Sequence, residues 1–367
     1  MGLRFEEDLR AGVTGQDRLP SWFSNLLPEG RLRQLVEQAL AFSDSESRDM
    51  AGELKLVAAL GNDLPGAVRL VLRDDLSPSE WDAPARVVQN VMELPPALRF
   101  SVAGVGLKFS MLRDGAQFVV PASDVLGDWI VKFPDRQFAA LPQNEFGVMS
   151  LAREVGIDVP EIRLVDRDQV EALGDAVWGG ERFAYAIKRF DRAAGGRIHT
   201  EDLAQVRGYY PGDKYRGAYE TVGNLFFRGR DENSLVEFTR RLVFNVLVGN
   251  SDAHLKNWSL IYPDGRIPTI APAYDIVSAA PYPRGLLTRD LALTFDGSRD
   301  SHGVNLNSIG RLERKLGLRD GILQDVARET AIRSLAAFAD IPSELDSLPE
   351  MKKAIGTHIQ QSISQFT

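Results

Sequence analysis

The sequence predicts an α+β protein of two lobes, with a β-rich first half and a helix-rich second half. Short β-like runs recur up to about residue 190, among them "DWIVKFP" and "RFAYAIKRF". From about residue 200 onward, the apolar residues mostly follow a helical spacing. A chain of 367 residues suits about two domains. We therefore expect a ligand cleft between the two lobes.

The composition is typical of a globular protein, with 44% hydrophobic and 26% charged residues. A net charge of −8 argues against direct binding to nucleic acid or to an anionic membrane surface. The absence of cysteine excludes disulfides and thiolate metal sites, and it favours a reducing compartment. The N-terminus lacks the features of a signal peptide, and no apolar run approaches the roughly 18 residues of a membrane span. We expect a soluble cytoplasmic protein.

The first half is predicted to begin with helices over residues 20–60, followed by a strand over 66–72 and a linker over 74–96. The runs "FSVAGVGLKFSMLRDGAQFVV" and "DWIVKFP" come next, with a hairpin signal at Arg-Asp-Gly 113–115. The segment 143–155 has the spacing of an amphipathic helix.

The second half contains one unusually polar loop between two apolar elements. Residues 233–249 predict a buried helix that Asn233 or Ser234 caps. After the loop "NSDAHLKN" the strand "WSLIY" follows, and a turn at residues 263–265 leads into a second strand, "IPTIAPAYDI", which carries Asp275.

Three polar side chains converge at the ends of these elements: Asp252, Asn257 five residues later, and Asp275 eighteen residues beyond that. Phosphoryl transfer needs such a set, because an Asp orients the acceptor hydroxyl while an amide oxygen and a carboxylate hold Mg²⁺. The catalytic loop of protein kinases has the same spacing between its Asp and Asn. A single Asp or Asn more often caps a turn, but the triplet between a helix and a hairpin favours a kinase site.

Two further residues of the loop carry hypotheses. For His254 we expect a structural hydrogen-bonding role toward Asp252 or Asp275, since none of the other three histidines stands at metal-ligand spacing. Lys256 either meets the transferring phosphoryl group or is a solvated loop charge, and the sequence leaves both interpretations open.

Partners for such a site occur upstream. Gly104 and Gly106 in "SVAGVGLKF" would let backbone amides approach phosphates. Lys132 lies inside an apolar strand, where a lysine needs solvent or a carboxylate, and Glu145 in the next helix is the candidate partner. The alternative for Lys132 is an edge-strand lysine that faces water.

These motifs together resemble the HipA family of serine/threonine kinases, the toxin components of bacterial toxin–antitoxin pairs. The segments that carry the resemblance are "SNLLPEG", "GNDLPGAVRLV", "SVAGVGLKFSML", "IVKFP", "QNEFGVMSLAREVGIDVPEIRLV", "AIKRFDR", "HTEDLAQ", "NVLVGNSDAHLKNWSLIY" and "APAYDIVSAAP". The resemblance implies a two-lobed protein-kinase-like fold. It would have a shortened HipA N-terminal-like subdomain over 1–96, a kinase N-lobe with phosphate loop and hinge over 97–190, and a helical C-lobe with the catalytic loop over 191–367.

By matching position, the resemblance implies ATP and Mg²⁺ as cofactors. Asp252 would be the catalytic Asp, with Lys256 beside it, and Asn257 and Asp275 would hold the metal. Lys132 would bind the α- and β-phosphates.

The resemblance also implies a phosphate loop, a hinge and a regulatory serine. The predicted ATP-binding residues besides Lys132 and Glu145 are Ser101, Val102, Ala103, Gly104, Val105, Gly106, Lys108, Lys188, Arg189 and Phe190. Ser101 would be the serine that such kinases autophosphorylate, and Ser110 on the following strand is the rival. Lys188 departs from the family, which usually has Glu in the hinge.

The resemblance implies an ATP-dependent protein kinase that acts as a toxin on a translation component, such as an aminoacyl-tRNA synthetase. Its partner would be an antitoxin of the helix-turn-helix type. A small-molecule kinase for a sugar or an antibiotic is the alternative enzyme, because the same Asp–Asn–Asp set serves either acceptor. A third hypothesis is a non-catalytic kinase-fold binding module, although buried charges are costly where no ligand needs them.

Overall fold

A computed structural model describes residues 18–42, 50–70, 96–103, 106–122, 125–171, 173–283, 290–340 and 345–367. The chain forms two compact units, each built from two stretches. The first unit comprises Met1–Ala139 and Val165–Gly212, and the second comprises Ala140–Leu164 and Asp213–Thr367. Residues 191–212 thus belong with the β-rich first unit, beyond the boundary predicted at residue 190.

A five-stranded sheet in the order β2-β1-β3-β5-β4 organises the first unit. Its strands are β1 (Lys108–Asp114), β2 (Gln117–Val119), β3 (Trp129–Lys132), β4 (Ile162–Asp166) and β5 (Phe183–Lys188). The predicted hairpin joins β1 to β2 through Gly115, whose φ of +57° suits glycine. One sheet face carries Phe109, Val131 and Ala186 side by side, and this row packs into a core with Phe118 and Trp178.

Helices and short strands complete the first unit. They are α1 (Ser21–Ser24), α2 (Gly30–Ala39), α3 (Met50–Leu60), α4 (Pro96–Arg99), β6 (Arg192–Ala193), β7 (Gly196–Arg197), β8 (His199–Asp202) and α6 (Leu203–Arg207). The helices predicted over residues 20–60 are confirmed in the described ranges. The strand predicted over 66–72 is wrong for residues 66–70, which form a turn followed by residues that belong to no strand. Residues 71–95, with most of the predicted linker, lie outside the described residues.

Helix α1 explains why residues 199–209 belong to the first unit. The indole nitrogen of Trp22 donates to Glu201 Oε1 at 2.7 Å, and both side chains are buried. Asn25 Nδ2 donates to the backbone oxygen of Tyr209 at 2.7 Å, and Gln205 Nε2 donates to the Trp22 backbone oxygen at 3.1 Å. The segments "SNLLPEG" and "HTEDLAQ" are therefore packed together.

Four buried charged residues join the N-terminal helices to the sheet, and we term Asp63, Arg189, Asp191 and Arg192 the ion cluster. Arg189 pairs with Asp63 at 3.0 Å and with Asp191 at 2.8 Å. Arg192 pairs with the same two carboxylates, at 2.7 Å and 3.0 Å. Burial by itself would raise the pKa of Asp191, but the charges of Arg189 and Arg192 hold that pKa below its ordinary range. The two arginines and two aspartates balance each other's charge.

The ion cluster also binds the ends of three neighbouring strands. Arg189 directly follows β5, and its Nη1 donates to Ser110 Oγ of β1 at 2.8 Å. Asp63 Oδ2 accepts from the backbone nitrogen of Gly127, which precedes β3, at 3.2 Å. A Cβ on Gly127 would lie 2.1 Å from Ser110 Oγ, so this close approach requires glycine. On the N-terminal side, the Gly66 nitrogen donates to Asp191 at 2.7 Å, which accounts for the turn where the sequence predicted a strand.

The second unit is mainly helical. Its elements are α5 (Leu141–Val155), α7 (Tyr219–Phe227), α8 (Glu232–Val248), β9 (Ser259–Tyr262), β10 (Thr269–Ile270), α9 (Leu306–Lys315), α10 (Ile322–Ala337) and α11 (Pro349–Ser362). Buried α8 contacts α7, α10 and α11. Within the ranges given above, no helix is long and apolar enough to cross a membrane.

Two local predictions for this unit need correction. Asp231 caps α8, rather than Asn233 or Ser234, because its Oδ1 accepts from the Ser234 backbone nitrogen at 2.9 Å. The strand β10 ends at Ile270, so Asp275 lies in the segment beyond it and not on the strand.

The ion cluster predicts a large stability effect for Asp63→Asn. The substitution keeps the side-chain shape but leaves two buried arginines facing one carboxylate, so we expect a loss of about 3–5 kcal/mol in the free energy of unfolding. Urea denaturation followed by tryptophan fluorescence measures it. Arg182→Ala is the matched control, since Arg182 pairs with Asp166 from a side chain that is 70% exposed, and its removal should cost about 1 kcal/mol or less. Equal losses in the two variants would contradict a structural role for the cluster.

Candidate active site

The polar loop after α8 begins with a glycine that no other residue can replace without strain. Gly249 has a φ of +71°, and a Cβ there would lie 2.9 Å from the ring of His358. Two buried amides then direct the chain. Asn250 Nδ2 donates to Asn245 Oδ1 at 2.9 Å, and Asn250 Oδ1 accepts from the backbone nitrogen of Asp252 at 3.1 Å. The position of Asp252 is thus tied to the end of a buried helix.

Backbone carbonyls inside the loop hold its shape. The oxygen of Ala253 accepts from the Tyr219 hydroxyl at 3.0 Å and from the Trp258 indole nitrogen at 3.1 Å. Burial raises the pKa of the Tyr219 phenol, so that phenol stays a donor. The oxygen of Asp252 accepts from Asn257 Nδ2 at 2.8 Å. Because the side-chain nitrogen of Asn257 makes this hydrogen bond, its Oδ1 is the atom that could bind a metal.

The structure brings Asn257 and Asp275 together, since both line one cavity with Asn250 and Tyr274. Asp275 has a left-handed backbone with φ +57°. Such conformations are uncommon outside glycine and concentrate at functional sites. The Tyr274 hydroxyl donates to the backbone oxygen of Lys256 at 2.9 Å, which ties this segment to the loop.

The donor atoms of this cavity suit Mg²⁺, which takes hard oxygen ligands and commonly keeps water and phosphate oxygens in its shell. In the part of the chain that the structure describes, no group of three or more His, Cys, Asp or Glu is placed to hold a metal. Mg²⁺ held by Asn257 and Asp275 would complete its shell with phosphate oxygens and water.

Sequence reasoning missed Asn144, which positions the segment after Asp275. Its Nδ2 donates to the backbone oxygen of Ser278 at 2.9 Å, and its Oδ1 accepts from the Ser278 nitrogen at 2.9 Å. Asn144 is fully buried on α5, next to the predicted ATP-binding residue Glu145. The available signal was an uncharged polar residue on the apolar side of an amphipathic helix, which needs partners when buried.

Both remaining loop residues are buried. The side chain of Lys256 is only 8% exposed, which contradicts the interpretation as a solvated loop charge. His254 packs against the ring of Tyr215 at 5.1 Å between ring centroids, and its buried Nδ1 makes no hydrogen bond. Burial lowers the pKa of His254 to about 4, although the nearby charge of Asp252 opposes the shift. The imidazole is therefore neutral at pH 7.

Within the first unit, the sheet face opposite the core carries two predicted ATP-binding lysines beside a tyrosine. Lys108, Lys132 and Tyr185 stand side by side on β1, β3 and β5, and Lys132 Nζ lies 5.5 Å from the Tyr185 ring centroid. Because β3 is an inner strand, the edge-strand interpretation of Lys132 is wrong. Two like charges at opposed positions repel each other, and a polyphosphate suits such a pair. The predicted ion pair between Lys132 and Glu145 stays a prediction.

The predicted phosphate loop folds back along β1. Ser101 forms an isolated bridge with Phe109, and its buried hydroxyl donates to the Leu98 oxygen at 2.7 Å. Val102 is buried, Ala103 is half-buried, and a Cβ on Gly106 would meet no atom within 4 Å. Gly104 and Val105 lie outside the described residues.

The predicted hinge residues have different surroundings. Lys188 is exposed and Phe190 is half-buried, whereas the guanidinium of Arg189 belongs to the ion cluster. Only the backbone of Arg189 is left for a nucleotide. Ser110, the rival phosphate acceptor, is fully buried and bonded to Arg189, so reaching it requires β1 to open.

Comparisons with known proteins identify the family of this chain. Residues 100–338 match the HipA-like C-terminal domain, and residues 3–71 match the HipA N-terminal domain. The Sinorhizobium fredii protein named "Putative kinase Y4dM" is 42% identical over 346 residues, covering 93% of this chain and 81% of that protein. The "Serine/threonine-protein kinase toxin HipA" of Shewanella oneidensis is 25% identical over 393 residues, covering 96% of this chain and 84% of that protein.

A solved structure gives the same result for the fold. The complex of the Shewanella oneidensis toxin–antitoxin system HipA, HipB and its operator DNA contains a chain that matches with a TM-score of 0.71. The two chains are 23% identical, and the match covers 95% of this chain and 86% of that one. The α+β, kinase-like fold is thereby confirmed. This chain belongs to the HipA family, as its motifs predicted.

The buried neutral His254 predicts a stability loss at acid pH. Its folded-state pKa is about 4, and the unfolded value is about 6.5. Between these values the unfolded chain binds a proton that the folded chain does not, so stability is full above pH 6.5 and falls as the pH is lowered toward 4. Over this pH range the free energy of unfolding falls by an amount on the order of 3 kcal/mol. Urea unfolding at pH 7 and pH 5 measures this dependence of stability on pH. His254→Gln should reduce the difference in stability between the two pH values. The control His302→Gln, at an exposed site, should behave as wild type.

Proposed function

We propose that this chain is an ATP-dependent protein serine/threonine kinase and the toxin of a toxin–antitoxin pair. The observation that carries the proposal is the grouping of Asp252, Asn257 and Asp275. Asn257 is bonded to the backbone of Asp252, and it shares a cavity with Asp275. One base and two oxygen ligands, held on the loop after α8 and on the segment after β10, are the set that phosphoryl transfer requires.

Each residue has a distinct role in this proposal. Asp252 orients the acceptor hydroxyl and accepts its proton. Asn257 and Asp275 hold Mg²⁺, which when bound neutralises charge on the nucleotide phosphates. Lys132, with Lys108 beside it, contacts the phosphates. Buried Lys256 supplies a positive charge next to Asp252 in the loop.

The names of relatives support the finer parts of the proposal. The Shewanella oneidensis relative is named a serine/threonine-protein kinase toxin, and its family appears with HipB and operator DNA in the matched structure. From the resemblance of the sequence motifs to the HipA family, we further propose a protein substrate in translation, such as an aminoacyl-tRNA synthetase, and an antitoxin of the helix-turn-helix type as partner.

We also propose self-inactivation through Ser101. A phosphate on its hydroxyl adds about −1.5 to −2 charges and three acceptor oxygens. The hydroxyl is buried and bonded to Leu98, so the loop has to open for the reaction. The modified loop would then repel the nucleotide.

The role of Asp252 predicts that Asp252→Asn abolishes transfer but leaves nucleotide binding intact. General-base catalysis contributes about 10²–10⁴ in rate, so labelling of proteins in a cell lysate with radioactive ATP should fall by that factor. Asp264→Asn is the matched control, because Asp264 lies in the exposed turn between β9 and β10 and its Oδ1 serves as a turn acceptor. Transfer within a few-fold of wild type in Asp252→Asn would refute the assignment.

The metal role of Asp275 predicts a loss that depends on Mg²⁺. Asp275→Asn removes the charge but tolerates the left-handed backbone, so ATP binding should weaken in the presence of Mg²⁺ and stay unchanged in EDTA. Calorimetry under both conditions measures the difference. Asp296→Asn controls for the backbone, since Asp296 has a φ of +51°. Equal weakening with and without Mg²⁺ would show that Asp275 acts on folding and not on the metal.

A further inference from the structure

The base of the proposed reaction already accepts a hydrogen bond from a hydroxyl of its own chain. The Tyr215 phenol donates to Asp252 Oδ1 at 2.7 Å. An acceptor hydroxyl has to lie about 2.6–3.2 Å from the base that takes its proton. Tyr215 therefore occupies one of the acceptor positions on Asp252 that a serine or threonine hydroxyl could use, and the proposed function gives Tyr215 no part.

Three backbone oxygens at and around Tyr215 accept hydrogen bonds from other segments of the second unit. The oxygen of Lys214 accepts from the Leu255 nitrogen at 3.1 Å, inside the catalytic loop. The oxygen of Tyr215 accepts from Arg299 Nη2 at 2.7 Å. Gly217, two residues on, accepts from the Thr294 nitrogen at 3.2 Å. These bonds keep the main chain beside Asp252, so the side chain alone has to move.

The side chain itself is able to leave. Tyr215 is 39% exposed, and its ring has an edge contact with His254 and lies 5.6 Å from Lys214 Nζ. A rotation about χ1 carries the phenol toward solvent without breaking any of the three backbone anchors. Exposed aromatic side chains change rotamer in picoseconds to nanoseconds, far faster than a turnover.

We infer that Tyr215 is an acceptor-site residue: its hydroxyl occupies the place of the acceptor hydroxyl, and a substrate has to displace it to reach Asp252. This inference rests on the proposed function. It assigns the acceptor position to the space beside Asp252, His254 and the exposed face of the loop 213–217. While the Tyr215 hydroxyl stays bound to Asp252, it also keeps water away from that carboxylate.

The chemistry that Tyr215 suppresses is transfer of the terminal phosphoryl group of ATP to water. In that reaction a bond forms between the water oxygen and phosphorus, the bond to ADP breaks, and the water proton passes to Asp252. Removing only the phenol oxygen, as in Tyr215→Phe, leaves room for one water beside the carboxylate while the ring still packs on His254.

The test measures ADP release from purified protein with Mg-ATP and no added acceptor. We expect Tyr215→Phe to release ADP about ten-fold faster than wild type, the factor that a hydrogen bond to a charged group supplies. The KM for ATP should stay unchanged, and adding Asp252→Asn to Tyr215→Phe should remove the increase. Tyr209→Phe is the matched control, because it removes a phenol oxygen that pairs with Arg207 in the first unit.

Three results would overturn the inference. If wild type transfers phosphate to lysate proteins and Tyr215→Phe releases ADP at the same rate or more slowly, Tyr215 orients Asp252 instead of competing for it. If peptide mapping finds phosphate on Tyr215, the phenol is a substrate and not a placeholder. If wild type binds no ATP by calorimetry and labels no lysate protein, the proposed function fails, and the inference falls with it.

Discussion

Pairing of charge inside the first unit is the constraint on which its other features depend. Arg189 and Asp63 have side chains that are each 1% exposed, and an isolated charge at such depth would be strongly destabilising. With Asp191 and Arg192 they form a balanced set that also makes hydrogen bonds to backbone oxygens, to backbone nitrogens and to Ser110. Because β1, β3 and β5 all attach to this set, it aligns the strands that carry Lys108 and Lys132.

The same cluster explains why two distant motifs occur together. The segment "GNDLPGAVRLV" supplies Asp63 and the turn at Gly66, and "AIKRFDR" supplies both arginines and Asp191. Neither motif is stable in its observed form without the other, since each would leave unbalanced charge in the core. The match to the HipA N-terminal domain over residues 3–71 therefore marks a region that shares its core charges with the sheet.

In the second unit, uncharged polar groups hold the catalytic segments in position. Buried amides at Asn250 and Asn144 and the aromatic donors of Tyr219 and Trp258 bind backbone atoms of the catalytic segments, and Asn245 holds the side chain of Asn250. Such bonds specify geometry without adding charge, which leaves the local electrostatics to the residues of the proposed reaction. A base aligned in this way also attracts any nearby donor, and the Tyr215 phenol is one.

The sequence alone determined what depends on near neighbours. The periodicity of α8, the hairpin at Gly115 and the spacing of Asp252 and Asn257 were all readable, because helical repeats, turn residues and loop motifs act over a few residues. Only the tertiary structure decided the contacts of Asn144 with Ser278 and of Arg189 with Asp63, which join residues 134 and 126 positions apart.

Those long-range contacts also overrode local preference. Residues 66–70 have the composition of a strand, yet the Gly66 nitrogen bonds to Asp191, 125 residues away, and the segment turns. The placement of Tyr215 on Asp252, 37 residues away, had no local signal either. Side chains this far apart meet only after the chain has folded, and the sequence between them does not encode their distance.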